Sequence, residues 1–251
     1  MKNILAFDTS SPVLSLALKK GQEPVLAAEI TGFLQHAENL LPLTDKLLKT
    51  KKLSIYDIDV FLIGRGPGSF TGLRIGFATL KGLLVTKKKP CFGALSLDMI
   101  AENCRLPESS HLAVCLDARR EKIYTRFYLR KKSAWVSKGK AAVLDFEVLT
   151  LGLPPESYIA GDALIRYGEK IKEFSSGKKI HFLPESDWYP KAATLIRWYN
   201  QKSKNIQQLK KPKDFLPLYF RLSVASAKKS SADPSVLYGG EEKSKPHAST
   251  C

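Results

Sequence analysis

The sequence is short of several features, and each shortage excludes a class of protein. It has four cysteines in 251 residues, and because no two form a Cys-x-x-Cys pair, a zinc ribbon is not expected. No apolar run approaches the roughly 18 residues that a membrane-spanning helix needs. Asp8 interrupts the apolar N-terminal run too early for a signal peptide. Four histidines leave few candidate bases. We therefore expect a cytoplasmic protein with reduced thiols and no membrane association.

Acidic residues are also scarce relative to basic ones. Forty Lys and Arg stand against 24 Asp and Glu, which gives a formal net charge of +16. Such an excess suits a polyanionic partner, of which nucleic acid is the commonest. It equally suits a solvated basic surface, because no aromatic residues are interleaved with basic runs such as 87–89 and 130–132. The charge indicates a class of partner without locating a site.

The order of apolar patterns indicates a repeated α/β architecture. Continuous or alternating apolar runs predict strands, and apolar residues on one helical face predict helices. The first series comprises strands at 4–7, 13–18, 24–30, 60–63 and 91–93, with helices at 35–50, 71–86 and 97–104. Ser96 is predicted as the N-cap of the third helix. The second series comprises strands at 112–116, 123–129, 143–149, 157–160 and 179–183, with helices at 162–174 and 191–202. We predict two β-β-β-α-β-α subdomains, 1–105 and 106–225, followed by a flexible tail at 226–251.

The most distinctive segment is a glycine-rich run between the strand at 60–63 and the next helix. A strand, a glycine turn and a helix start can together bind an anion on backbone N–H groups. The run matches neither the P-loop nor the dinucleotide fingerprint, so glycines that admit a second backbone are an equally open interpretation. Its candidate residues are Gly64, Arg65, Gly66, Pro67, Gly68, Ser69, Thr71 and Gly72.

This run resembles that of the TsaB (YeaZ-like) family. The opening Ile4-Leu5-Ala6-Phe7-Asp8-Thr9-Ser10, His36-Ala37-Glu38 and Asp117-Ala118-Arg119 match the family as well. The resemblance covers about residues 3 to 200. It implies an actin-like ATPase/ribonuclease-H-like fold, duplicated in two subdomains. It also implies a non-catalytic subunit of the assembly that makes N6-threonylcarbamoyladenosine in tRNA.

The resemblance also bears on the candidate polar residues Asp8, His36, Asp117 and Arg119. The enzymatic relative of the family, TsaD, carries a His-x-x-x-His metal pair, but here Leu40 stands four residues after His36. Actin-like ATPases have a glycine soon after each phosphate-loop aspartate. Here none follows Asp8 closely, and Arg119 stands in that place after Asp117. We expect a structural Asp8, an ion-paired Asp117, no metal site and no catalytic residue.

Function is then expected to reside in surfaces, above all in the helices at 35–50 and 71–86. The resemblance implies that they bind a TsaD-like catalytic subunit, or a second copy in a homodimer when the chain is alone. It further implies a TsaE-like ATPase in the complex, contact with tRNA through the complex, no cofactor of its own, and ATP with magnesium at a subunit boundary. The candidate interface residues are Leu40, Leu43, Leu47, Leu73, Gly76, Phe77 and Leu80, although all could instead face the protein's own core. The alternative functions are a stand-alone metallopeptidase or ATPase of the same superfamily, and an independent tRNA-binding protein.

Overall fold

The computed structural model describes residues 2–32, 35–85 and 88–218. The tail predicted to be flexible, 226–251, lies outside these residues. The strands are β1 (Ile4–Asp8), β2 (Val13–Lys19), β3 (Leu26–Thr31), β4 (Val60–Gly64), β5 (Cys91–Ala94), β6 (His111–Asp117), β7 (Ile123–Lys131), β8 (Ala134–Leu144), β9 (Glu156–Ala160), β10 (Lys179–Phe182) and β11 (Gln207–Leu209). The α-helices are α1 (His36–Thr50), α2 (Phe70–Val85), α3 (Ser96–Ala101), α4 (Phe146–Leu151), α5 (Ala163–Phe174) and α6 (Ala192–Asn200).

The strands form two sheets with the same internal order. The first sheet runs β11-β5-β4-β1-β2-β3 and the second runs β10-β9-β6-β7-β8. In each, the first strand of the series pairs antiparallel with the second and parallel with the fourth. This repeated topology confirms the predicted duplicated α/β fold of the actin-like ATPase/ribonuclease-H-like class.

The first sheet is covered on both faces, which explains its continuous apolar strands. Every residue of β1 and β4 is buried. Because side chains alternate along a strand, Leu5 and Phe7 join the cluster that contains residues of α1 and α2. Ile4 and Ala6 point to the other face, where α6 packs. The ends of β1 and β4 are therefore held rigidly between two helical layers.

The C-terminal part of the described chain returns to the first sheet. β11 pairs antiparallel with β5, and the Ala192 N–H of α6 donates a hydrogen bond to Ser15 Oγ at 2.9 Å. Both elements lie in the range assigned to the second subdomain, 106–225. The ranges 1–105 and 106–225 stay a prediction as domain boundaries, but the chain between 192 and 209 is packed on the first sheet.

Two local predictions are wrong. The predicted strand 143–149 ends at Leu144, where β8 ends, and residues 146–151 form α4 instead. β8 is a half-exposed strand at the edge of the second sheet, so its sequence lacks the apolar run of a buried strand. Ser96 was predicted as the N-cap of the following helix, but Leu95 occupies that position. Among the described residues, none of the helices combines the length and apolar character of a membrane span.

Candidate functional site

The first candidate site is the turn that follows β1, and its carboxylate is fully occupied. Asp8 is completely buried. Its Oδ1 accepts hydrogen bonds from the backbone N–H and the hydroxyl of Ser10, both at 2.7 Å, and its Oδ2 accepts one from Ser96 Oγ at 2.8 Å. Ser96 Oγ in turn accepts the Gly66 N–H at 3.1 Å. Burial raises the pKa of Asp8, opposed by these hydrogen bonds. These are the contacts of a structural aspartate that ties three segments together.

The glycine run packs directly against this turn. A Cβ at Gly64 would lie 1.7 Å from Asp8 Oδ2, and one at Gly68 would lie 2.1 Å from the Ser10 carbonyl oxygen. A Cβ at Gly72 would lie 2.0 Å from the Thr9 carbonyl oxygen, and one at Gly76 would lie 2.4 Å from Thr9 Oγ1. The glycines recur every four residues because each admits part of residues 8–10. The structure thus favours the close-approach interpretation of the run.

The remainder of the run is tied to its surroundings through the backbone. The Ser69 N–H donates to the Ser10 carbonyl at 2.7 Å, and Gly68 has a positive φ of 153°. Pro67 is buried behind a cis peptide bond with Gly66, and Thr71 is exposed at the start of α2. The run is therefore packed on residues 8–10 by its backbone as well as by its glycines.

His36 anchors the first helix to the same turn. It is 3% exposed, and its Nε2 donates to the Ser11 carbonyl oxygen at 2.8 Å. Leu40, one turn later, is buried in the core beside it. No group of three or more His, Cys, Asp or Glu side chains within the described ranges is arranged to hold a metal ion. His36 therefore serves the start of α1.

The second candidate site is a polar corner at the end of β6. Asp117 Oδ1 accepts the Arg119 N–H at 2.7 Å, and its Oδ2 lies 3.2 Å from Arg119 Nη1 and 3.6 Å from Arg166 Nη1. The Asp117 N–H donates to Asp162 Oδ1 at 2.9 Å. Burial raises the pKa of Asp162 to about 6. Asp117 and Arg119 form the predicted ion pair, whereas sequence analysis missed Asp162 and Arg166.

A cleft of about 770 Å³ lies between the two sheets, next to the turn that holds Asp8 and the polar corner that holds Asp117. Ser10, Gly68 and Thr71 contribute one wall, and Asp117 and Arg166 contribute to the other. α2 and α5 both begin at the cleft, so their N-terminal N–H groups face it with partial positive charge. The arginines on its wall are already engaged by Asp117. Asp117 lines the cleft, whereas Asp8 is fully buried and does not, so the structure does not bring the two predicted aspartates into one catalytic group.

The predicted interface residues are mostly in the core, which corrects their assignment. Leu40, Leu47, Phe77 and Leu80 belong to the cluster between the first sheet and α1 and α2, and Leu73 is 1% exposed. Gly76 is buried against Thr9, and Leu43 is half-buried against the same cluster. They face inward because α1 and α2 need one apolar side each to cover the sheet.

The outward faces of these helices carry a different set of residues. Leu41 on α1 is 52% exposed, and Val85 at the end of α2 is 83% exposed. Ala78 and Gly82 are exposed on α2 one turn apart. Among the described residues, a Cβ at Gly82 would meet nothing within 4 Å, so no packing within that part of the chain explains this glycine. We call the exposed residues Leu41, Ala78, Gly82 and Val85 the outer helical face.

Comparison with known proteins decides the family. The model of the TsaD family, tRNA N6-adenosine threonylcarbamoyltransferase, matches residues 21–217. The chain belongs to this family. The tRNA threonylcarbamoyladenosine biosynthesis protein TsaB of Escherichia coli (strain K12) is 32% identical over 148 residues, which are 58% of this chain and 64% of that protein. TsaB of Buchnera aphidicola subsp. Schizaphis graminum is 26% identical over 207 residues, 80% of this chain and 95% of that protein.

Solved structures agree with this assignment. YeaZ from Pseudomonas aeruginosa superimposes with a TM-score of 0.72 at 25% identity, covering 88% of this chain and 100% of that chain. The match spans 64% of the E. coli TsaB and 55% of that of Haemophilus influenzae, less than two thirds of either relative. The predicted resemblance to the TsaB (YeaZ-like) family is confirmed.

Proposed function

We propose that this chain is the non-catalytic subunit that supports a TsaD-type enzyme in making N6-threonylcarbamoyladenosine next to the anticodon of tRNA. The observation that carries the proposal is the closed corner at Asp8. The buried carboxylate accepts three hydrogen bonds from Ser10 and Ser96, and the glycine run packs directly against the turn. A chain of this family with that corner closed needs a partner to supply the chemistry.

The outer helical face is the proposed contact with that partner. Glycine in the middle of a helix costs about 1 kcal/mol relative to alanine, and Gly82 has no neighbour inside the chain that requires it. Together with Ala78 it leaves a shallow strip that a helix of a partner can approach closely. Exposed Leu41 on α1 and Val85 on α2 add apolar area to the outward faces of the two helices. The same face would join two copies in a homodimer when the TsaD-type subunit is absent.

The proposal extends to the rest of the assembly. A TsaE-like ATPase would join the complex, and ATP with magnesium would bind at a subunit boundary, where another chain completes the cleft. The net charge of +16 would favour tRNA approaching the complex in the cytoplasm.

Reconstitution tests the proposal. We would combine this chain with a TsaD-type enzyme, a TsaE-like ATPase, the threonylcarbamoyl donor and tRNA, and measure the modified nucleoside by mass spectrometry. We expect Gly82→Arg to lower modification at least about tenfold, because a long charged side chain at the interface costs more than 1.4 kcal/mol of binding. Gly82→Ala adds only one methyl group at the same position and should weaken binding less than Gly82→Arg does. Equal modification with this chain omitted would contradict the proposal, as would ATP or peptide turnover by the isolated chain.

A further inference from the structure

One residue of the glycine run, Arg65, has no part in the closed corner. It follows β4, and its N–H donates to the Ala94 carbonyl oxygen at 2.8 Å. Its side chain then crosses β5 at Gly93, where a Cβ would lie 2.6 Å from Arg65 Cδ and 2.7 Å from Cγ. Because residue 93 is a glycine, the aliphatic part of the Arg65 side chain can pass directly over it.

The guanidinium at the end of this stem has no protein partner in the part of the chain that the structure describes. Its Nε is buried and unpaired. Asp214 is the nearby carboxylate whose charge acts on it, but Asp214 Oδ2 already accepts the N–H groups of Lys210 and Lys211 at 3.0 and 2.8 Å. Burial lowers the pKa of Arg65. Arg65 is half-buried, and a guanidinium whose Nε is buried without a hydrogen bond loses hydration that the protein does not replace.

Arg65 lines a cleft of about 630 Å³, distinct from the cleft at Asp117. The two carboxylates of this Arg65 cleft are already neutralised. Asp98 accepts Arg126 Nη1 at 2.8 and 3.0 Å and the Tyr128 hydroxyl at 2.7 Å. Glu102 pairs with Arg197 at 3.1 Å.

The cleft therefore has a surplus of positive charge. Lys140 and Lys204 line it together with Arg65, and neither lysine pairs with a carboxylate within the described ranges. Three cations line one concave surface whose volume is typical of small-molecule sites, and the charge of Asp214 acts on Arg65 without an ion pair between them in the described part of the chain.

We propose that the Arg65 cleft binds a phosphorylated small molecule, with its phosphoryl group on the Arg65 guanidinium. The planar fork of N–H donors matches two oxygens of a phosphoryl group. A dianionic phosphoryl group balances three cations better than a single carboxylate does. Trp135 supplies an aromatic wall for the remainder of the ligand. The proposal stands independently of the proposed function, since it requires no partner subunit.

Nuclear magnetic resonance on the full chain tests this site directly. We would follow the Arg65 Nε–H signal, assigned by its loss in Arg65→Met, during titration with inorganic phosphate and then adenosine monophosphate at constant ionic strength. We expect a saturable shift with both probes, tighter with the nucleotide, and none with acetate. The matched control is Arg74→Met, since Arg74 is exposed on α2 outside the cleft and stacks on Phe70. It should leave the shift unchanged.

Thermal unfolding gives a second measurement that does not need the assignment. Phosphate should raise the Tm of the wild-type chain by mass action but not that of Arg65→Met. Arg65→Lys keeps the charge without the fork and should bind between the two. Without phosphate, Arg65→Met should be at least as stable as the wild type, because it removes a half-buried guanidinium whose Nε makes no hydrogen bond in the described part of the chain. A destabilised Arg65→Met, a phosphate effect equal in both chains, or no saturable shift would overturn the proposal.

Discussion

Asp8 and Asp117 occupy the same place in the two repeats and have opposite surroundings. Each ends the first strand of its sheet, and a glycine, Gly64 or Gly161, lies at the end of the neighbouring parallel strand. Asp8 is fully buried and bound by hydroxyl and amide donors. Asp117 keeps 15% of its side chain exposed and is bound by arginines at the cleft. The same strand topology therefore buries the aspartate in the first repeat and leaves it accessible in the second.

The difference arises in the segments that follow the parallel strands. After β4, glycines at intervals of four bring α2 onto the Asp8 turn, and the Asp8 side chain is fully buried. After β9, Gly161 admits the Cys115 carbonyl oxygen, with a Cβ contact of 2.1 Å, but the next residue is the carboxylate Asp162. The second corner is therefore polar and borders the cleft. Close packing in one repeat and charge in the other decide what each corner can bind.

The largest expected change in stability comes from adding one methyl group between α2 and the Asp8 turn. In an ordinary helix, glycine to alanine stabilises by about 1 kcal/mol. At Gly72 the new Cβ would lie 2.0 Å from the Thr9 carbonyl oxygen, a backbone atom that cannot rotate away. We expect Gly72→Ala to lower the free energy of unfolding by about 3 kcal/mol, measured by urea denaturation.

Gly82→Ala is the control for that experiment, because it lies on the same helix and its Cβ meets nothing within 4 Å. It should raise stability by up to about 1 kcal/mol. If the two substitutions change stability in the same direction, the packing explanation of the glycine run is wrong.

Much of the fold was predictable, because its central strands are buried on both faces. The continuous apolar runs at 4–7 and 60–63 leave no alternative to a buried strand, and both are found. β8 and β11 were missed for the opposite reason. They are edge strands, and the polar residues that an exposed edge carries give no apolar signal.

The site was less predictable, since its contacts join segments distant in sequence. The glycine spacing was visible, but that each glycine faces residues 8–10 required the structure. Serine is a common N-cap residue, yet the Ser96 hydroxyl donates its hydrogen bond to Asp8, 88 residues away. No local pattern encodes such a contact. The inward direction of Leu40 and Phe77 was one of two open alternatives, because periodicity identifies an apolar face without saying what covers it.

A smaller effect concerns the corner at Asp117, where burial of Asp162 should make the stability of the protein depend on pH. The folded-state pKa of Asp162 is raised to about 6 from an ordinary value of 3.8, so folding favours its neutral form. The contribution of neutral Asp162 to the free energy of unfolding is fully present below pH ~4 and is lost as the pH rises through about 6. Asp162→Asn cannot ionise and keeps the oxygen that accepts the Asp117 N–H.

We therefore expect Asp162→Asn to match the wild type near pH 4 and to be more stable near pH 8, by on the order of 2 kcal/mol. Urea unfolding across this range measures the difference. A gap that does not change with pH would show that burial of Asp162 has no such consequence.

The smallest effect concerns the arginine that stands where a phosphate loop would have glycine. The Arg119 side chain is 63% exposed, and exposed ion pairs contribute about 0.5 kcal/mol. Arg120 has a positive φ like Arg119, at 50° and 65°, and is also exposed. Alanine at either position has the same unfavourable backbone conformation. The difference in stability between the two variants therefore measures the ion pair of Arg119 with Asp117. We expect Arg119→Ala to be less stable than Arg120→Ala by about 0.5 kcal/mol, with the gap closing at high salt. A salt-independent gap of several times that size would mean that Arg119 closes the second corner as firmly as the glycines close the first.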